Sequence, residues 1–252
     1  MKHLHLQGRR VEYRDVPASN PDRPPLVLLH EGLGSASMWG RFPEKLAAAT
    51  GCRVLAPSRA GYGHSDPYAH ERTPAYHRVE VEGDLPAFLD ALELERPVLV
   101  GHSDGGTLAL LFGATHPARA RGLVVMAPHE FIEEVTLAGI RETGQLWRST
   151  DLRERLARHH ADPDRVFREW HDVWLSAPYR DWTMEAELSA ITCPVLAIQG
   201  LEDQYGSLRQ IEVIAERAPQ TRLLALPDCG HSPHRDQEAL VLEAIGAFLR
   251  EI

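Results

Sequence analysis

Nine residues constrain this chain more than any others. Val98-Leu99-Val100-Gly101-His102-Ser103-Asp104-Gly105-Gly106 runs from an apolar, strand-forming stretch through Gly-x-Ser-x-Gly and straight into an apolar helix. A turn that tight between strand and helix strains its central residue and leaves no room for side chains two positions to either side. Gly101 and Gly105 meet that demand, so Ser103 at the apex is expected to present its hydroxyl at the carboxyl edge of a sheet. A Ser hydroxyl is a weak nucleophile at neutral pH and needs a base, which in turn needs an orienting acid.

Both appear further along, in that order. The strand expected at Val195–Ile198 ends in Gln199-Gly200-Leu201-Glu202-Asp203, and the next, at Leu223–Leu226, ends in Pro227-Asp228-Cys229-Gly230-His231. Ser103, Asp203 and His231 thus come from the carboxyl ends of three strands and can converge on one crevice. Glu202 competes with Asp203 as the acid, and Glu130, after the strand expected at Gly122–Ala127, is a remoter option. His102, His234, His159 and His160 are read as surface or supporting residues. His231, His234 and Asp236 have loop spacing, not the one-face helical spacing of a zinc protease, so no metal is expected.

Buried-type strands are also expected at Leu26–Leu29, Arg53–Ala56 and Pro97–Val100, after two short N-terminal strands at Lys2–Leu6 and Arg10–Val16. Helical periodicity lies between them at Trp39–Ala49, Asp84–Leu94, Thr107–Thr115, Leu208–Ala218 and Gln237–Leu249. Such alternation implies an α/β fold with a mostly parallel central sheet and helices on both faces. It fails once, between residues 129 and 190, where helices are expected at Phe131–Gly144, Leu152–His160, Pro163–Leu175 and Trp182–Leu188. That divides the chain into a core of residues 1–128 and 191–252 and a helical insertion of residues 129–190. Four of the five Trp lie in the insertion. They either bury its own small core or line a pocket over the sheet, with Trp147 and Trp174 as the candidates.

The 252 residues carry a formal charge of −9, which removes the electrostatic basis for binding nucleic acid or an anionic membrane surface. No apolar run is long enough to span a bilayer, and Met1 to Arg10 lack the apolar stretch of a secretory signal. Cys52, Cys193 and Cys229 are too few and too scattered for a disulfide framework, and a cytoplasmic setting is expected.

With the elbow, Asp203 in Gly-x-x-Asp and the Gly-His of His231, the chain resembles the α/β-hydrolase fold family over essentially its whole length. The resemblance implies an inserted helical cap and an oxyanion hole built from the backbone N–H of Asp104 and one from the loop after the third strand. That loop reads His30-Glu31-Gly32-Leu33-Gly34, with Glu31 where the family has Gly, so the second donor is Gly32 or Leu33, with Gly32 favoured. A second departure is Pro57-Ser58-Arg59, which lacks the Asp usual two residues before the Arg.

Asp104 and Glu31 are acids beside a site of developing negative charge. Either each is turned away and paired, with Arg59 or His30 as candidates, or one of them receives a cationic group of the substrate. The Ser-Asp-Gly-Gly run and the Trp-bearing insertion are similar to those of valacyclovir-hydrolase-like enzymes, which implies the second role for Asp104. The resulting expectation is a serine hydrolase cleaving small-molecule carboxylic esters, with no cofactor because water clears the acyl-enzyme. Lactonase, thioesterase and carbon–carbon bond hydrolase activities use the same residues and stay open. So do a cyclohexadiene-carboxylate-synthase-like lyase and a slow-turnover receptor.

Overall fold

The computed structural model describes residues 1–252. Strands β1 (Lys2–Leu6), β2 (Arg9–Val16), β3 (Leu26–Leu29), β4 (Val54–Pro57), β5 (Val98–His102), β6 (Gly122–Met126), β7 (Val195–Gly200) and β8 (Thr221–Leu226) form one sheet. Its order is β1-β2-β4-β3-β5-β6-β7-β8. The β1–β2 and β2–β4 pairings are antiparallel and all the others parallel. The helices are α1 (Phe42–Thr50), α2 (Tyr76–Val79), α3 (Leu85–Ala91), α4 (Asp104–Thr115), α5 (Glu134–Ser149), α6 (Leu152–Ala157), α7 (Pro163–Trp174), α8 (Arg209–Arg217), α9 (Pro233–Asp236) and α10 (Glu238–Leu249).

Every residue of β3, β4, β5, β6 and β7 is buried, because alternate side chains point to opposite faces and helices cover both. Leu26 and Leu28 belong to the apolar cluster that also holds Leu46 of α1 and Ile245 of α10, whereas Val27 and Leu29 belong to the one on the opposite face, with Leu89 of α3, Leu108 of α4 and Ile211 of α8. The strand order reverses between β3 and β5, so the loops leaving those strands diverge and open a crevice at their carboxyl ends.

Three sequence expectations change. The strand at Leu223–Leu226 begins at Thr221 and is not buried: it is the sheet's edge, and only Leu226 is enclosed. The helix expected from Asp84 starts at Tyr76 and passes through a π-helical turn at Glu80–Asp84. Pro86 follows that turn and has no N–H to continue the regular ladder. Trp182–Leu188 is not a helix. Thr183 forms an isolated antiparallel bridge with Phe131, the Met184 N–H donates to the Glu130 carbonyl at 2.7 Å, and a short 3₁₀ turn follows at Glu187–Ala190. Met184 and Leu188 pack into the apolar cluster on the α4 side of the sheet, which holds this segment against the sheet layer.

Candidate active site

Ser103 stands between β5 and α4 at φ 52° and ψ −120°, a strained conformation for a residue with a side chain. Close packing enforces it. A Cβ on Gly101 would lie 2.1 Å from the Gly105 carbonyl oxygen, and one on Gly105 would lie 2.0 Å from the Leu29 carbonyl oxygen. The hydroxyl projects above the sheet, where Ser103 Oγ is 2.8 Å from His231 Nε2. On the other side of the ring, Nδ1–H donates to Asp203 at 2.8 and 2.9 Å.

Asp203 is fixed from three directions. Its Oδ1 accepts the Tyr205 N–H at 2.7 Å and the Gly206 N–H at 3.3 Å, and its Oδ2 accepts Gln199 Nε2–H at 2.8 Å. Burial alone would raise its carboxyl pKa. The His231 imidazole and the Tyr205 N–H outweigh burial and hold it below the ordinary carboxylate value. Glu202 lies exposed on the outside of the same loop. Glu130, beyond the end of β6, is fully buried, and neither carboxyl oxygen finds a partner.

The loop from His30 to Gly34 is clamped through one carbonyl. The Glu31 C=O accepts His30 Nδ1–H at 2.8 Å, the Gly34 N–H at 3.0 Å and Arg59 Nη2–H at 3.3 Å. His30 Nε2 accepts the Arg59 N–H at 3.1 Å, and burial keeps this histidine neutral. All peptide bonds are trans, so fixing the Glu31 C=O turns the Gly32 N–H the opposite way, out of this buried cluster. The N–H groups of Gly32, Leu33 and Asp104 have no acceptor within the protein. Gly32 must also lack a side chain, since a Cβ there would lie 2.4 Å from the Trp170 indole.

These residues face a cavity of about 480 Å³. Its floor is Ser103 and His231, one edge is Glu31, Gly32 and Leu33, and the opposite wall is Thr136, Ile140, Trp170 and Trp174, with His129 and Tyr205 beside the imidazole. No Lys or Arg lines it. Burial lowers the His129 pKa to about 4, so its ring is neutral near pH 7. A second, partly open pocket between the sheet and α3 shares none of these residues.

Trp174 thus lies where the sequence suggested, but Trp147 does not. It stacks on Phe167, with ring centroids 4.1 Å apart, inside the helical segment's own apolar cluster. Trp170, four residues before Trp174 on the same face of α7, takes the place at the wall. Asp104 is not open to a substrate amine. Its carboxylate is buried and ion-paired with Arg59 Nη2 at 2.6 Å, and it accepts His77 Nε2–H at 2.7 Å and the Tyr76 hydroxyl. Glu31 keeps some exposure, with its carboxylate 3.6 Å from His102 Nδ1 and 3.9 Å from Arg235 Nη2.

His102 and His234 are buried, not superficial. His102 Nε2–H donates to the His231 carbonyl at 2.6 Å, so the residue before Ser103 holds the main chain of its hydrogen-bond partner. His234 packs against Trp39, Phe42 and His102. His160 is buried between two loops, accepting the Gly63 N–H at 2.9 Å and donating to the Leu33 carbonyl at 3.0 Å, while the half-buried His159 meets Ser37 Oγ at 2.8 Å. Gln199, Tyr205 and His129 were not singled out from the sequence. Of these, only Gln199, four residues before Asp203 at a strand end, carried a local signal.

A strand-ending serine, a histidine and an aspartate joined in this order at the switch point of a mostly parallel sheet define a class of protein, and the comparisons agree with it. The chain belongs to the alpha/beta hydrolase fold family, whose model matches residues 24–173. It is similar to 2-hydroxymuconate semialdehyde hydrolase of Pseudomonas sp. (strain CF600), 28% identical and covering 90% of this chain and 87% of that one. It is equally similar, at 28%, to a putative carbamate hydrolase of Caulobacter sp. (strain K31), with 90% of each chain covered. The enol-lactonase of Burkholderia xenovorans LB400 superposes with a TM-score of 0.78 at 22% identity, over 99% of this chain and 100% of that one. Hydrolysis is the activity common to those names.

Proposed function

We propose that this hydrolase cleaves carboxylic esters of small molecules that carry no anionic group. The observation that carries the reading is the strained Ser103, whose Oγ is 2.8 Å from His231 Nε2 and opens onto the Trp170–Trp174 cavity. Ser103 Oγ attacks the ester carbonyl as its proton passes to His231 Nε2. Asp203 fixes the ring with Nδ1–H outward and stabilises the imidazolium. The Asp104 and Gly32 N–H groups donate to the oxyanion, a pair whose members are each worth about 10²–10³-fold in rate. Collapse expels the alcohol, which takes the proton from His231. Water, deprotonated by the same nitrogen, then clears the acyl group. Residues 129–190 act as a cap whose α7 face forms the pocket wall.

The lining argues for the charge class. A substrate carboxylate, such as the name 2-hydroxymuconate denotes for the relative, would find no Lys or Arg in this lining and would have Glu31 nearby. The same machinery opens a lactone, which is a cyclic ester.

The test is turnover of p-nitrophenyl butyrate beside the mono-p-nitrophenyl ester of succinate, with Ser103→Ala as the blank. The expected outcome is activity abolished in the blank and kcat/KM at least about 10-fold higher for the neutral ester. Activity unchanged in the blank overturns the nucleophile, and preference for the succinate ester overturns the charge class.

A further inference from the structure

The carboxylate next to the nucleophile is the hub of a fully buried network that ends at the pocket wall. Asp104 Oδ2 faces Arg59 Nη2 at 2.6 Å. Arg59 is shared with Glu80 at 3.1 Å, and Glu80 binds Arg72 at 3.0 Å, so two guanidiniums balance two carboxylates. Asp104 Oδ1 takes two further donors, His77 Nε2–H and the Tyr76 hydroxyl.

The direction of each hydrogen bond from Trp174 through Tyr76 to the carboxylate is forced by the donor inventory. An indole nitrogen can only donate, so Trp174 Nε1–H, 3.1 Å from the Tyr76 oxygen, gives its hydrogen to Tyr76. Tyr76 has one hydrogen, and the ionised Asp104 can only accept it. On the parallel arm His77 spends Nε2–H on Asp104, and its Nδ1 lies 3.2 Å from the Tyr179 hydroxyl oxygen. Burial and the Asp104 charge push the Tyr76 hydroxyl pKa well up, so it keeps its proton. Both ends of the stretch from Trp174 to Tyr179 therefore hang on one carboxylate. Trp174 is the last residue of α7, lines the cavity over Ser103, and packs 5.3 Å from the His129 ring.

We propose that the Asp104 carboxylate, acting through the Tyr76 hydroxyl, positions the Trp174 indole and thereby sets the size of the group accepted beside Ser103. Asp104 and Tyr76 are positioning residues, and Trp174 is the specificity-determining surface they hold. The residue whose N–H faces the oxyanion thus also fixes the wall by its side chain, coupling the nucleophile's helix α4 to α7. This proposal rests on the esterase reading for its kinetic test, but not for its structural one.

Replacing Asp104 would unbalance the buried charges and endanger folding, so the variants are Tyr76→Phe, which removes one oxygen, Trp174→Phe, and the double substitution. The structural measurement is the ¹H–¹⁵N spectrum of indole-labelled protein. Trp174→Phe deletes one of five indole resonances and so identifies it. Tyr76→Phe is expected to shift that resonance and speed its hydrogen exchange, and an unmoved resonance overturns the proposal. The kinetic measurement is the ratio of kcat/KM for p-nitrophenyl butyrate to that for the acetate. Tyr76→Phe should change it by about fivefold or more, the scale on which pockets discriminate methylenes. The double variant should show no further change beyond Trp174→Phe alone. Additive shifts, or a shifted resonance with the ratio unchanged, overturn the specificity role. A wild type that turns over no ester overturns the esterase reading instead, and the indole resonance then decides whether Tyr76 positions Trp174.

Discussion

At Gly105, a single methyl group would sit 2.0 Å from the Leu29 carbonyl oxygen, a clash with backbone that no side-chain rotation can relieve. Gly105→Ala is therefore expected to cost more than about 3 kcal/mol of stability and to abolish turnover together. Denaturant unfolding and the ester assay check this, and a stable, active variant would refute it. His102 offers a subtler test, because its Nε2–H fixes the His231 carbonyl at 2.6 Å. His102→Phe should lower kcat about 10-fold with KM little changed, and His102→Gln, which keeps a donor at similar reach, should recover most of it. Equal losses in the two variants would assign the effect to packing. The demand at Gly101 and Gly105 was legible because it arises among neighbours in the chain. The fate of the Asp104 carboxylate was not, because Arg59, Tyr76 and His77 reach it from distant segments.

Among the elements, α7 decides most about the pocket, since Trp170 and Trp174 both face it. Its first turn is capped by Asp162, whose Oδ1 accepts the Arg165 N–H at 2.9 Å, with Pro163 at the first helical position. Asp162→Ala should cost about 1 kcal/mol in chemical unfolding. An unchanged unfolding midpoint would show that tertiary contacts alone hold the helix. The periodicity of α7 was plain in the sequence, but the division of labour among its aromatic neighbours was not. Trp147 is one residue type with Trp170 and Trp174, yet it stacks on Phe167 within the helical segment. The Trp182–Leu188 stretch reads as helical by its residues, but Thr183 pairs with Phe131 instead. The edge position of β8 was likewise invisible locally, since it depends on strand order.

For the molecule as a whole, Glu130 sets a pH dependence of stability. Its carboxyl is fully buried with no hydrogen-bond partner, and burial raises its pKa well above the ordinary 4.5. Below that ordinary value both the folded and unfolded states hold the proton, and no difference arises. As pH rises above it, the unfolded chain releases the proton while the folded one retains it, so folding is progressively disfavoured until pH reaches the raised native pKa. Glu130→Met removes this term, and the Tm of the variant relative to wild type should be more favourable at pH 8 than at pH 5. A difference independent of pH would show that Glu130 ionises freely in the fold.

The sequence by itself determined the alternation of buried strands with helices, the elbow at Ser103, and the placing of Asp203 and His231 at the ends of later strands. Those features follow from side-chain alternation, helical period and backbone sterics, which act over a few residues. Tertiary structure alone decided that the Asp104 carboxylate turns inward to Arg59 and Tyr76, that fixing the Glu31 carbonyl turns the Gly32 N–H outward, and that Trp170 and Trp174 form the wall. Each of those outcomes is a choice of direction for a group that could point several ways, and the choice is made by partners that only folding brings within hydrogen-bond or packing distance.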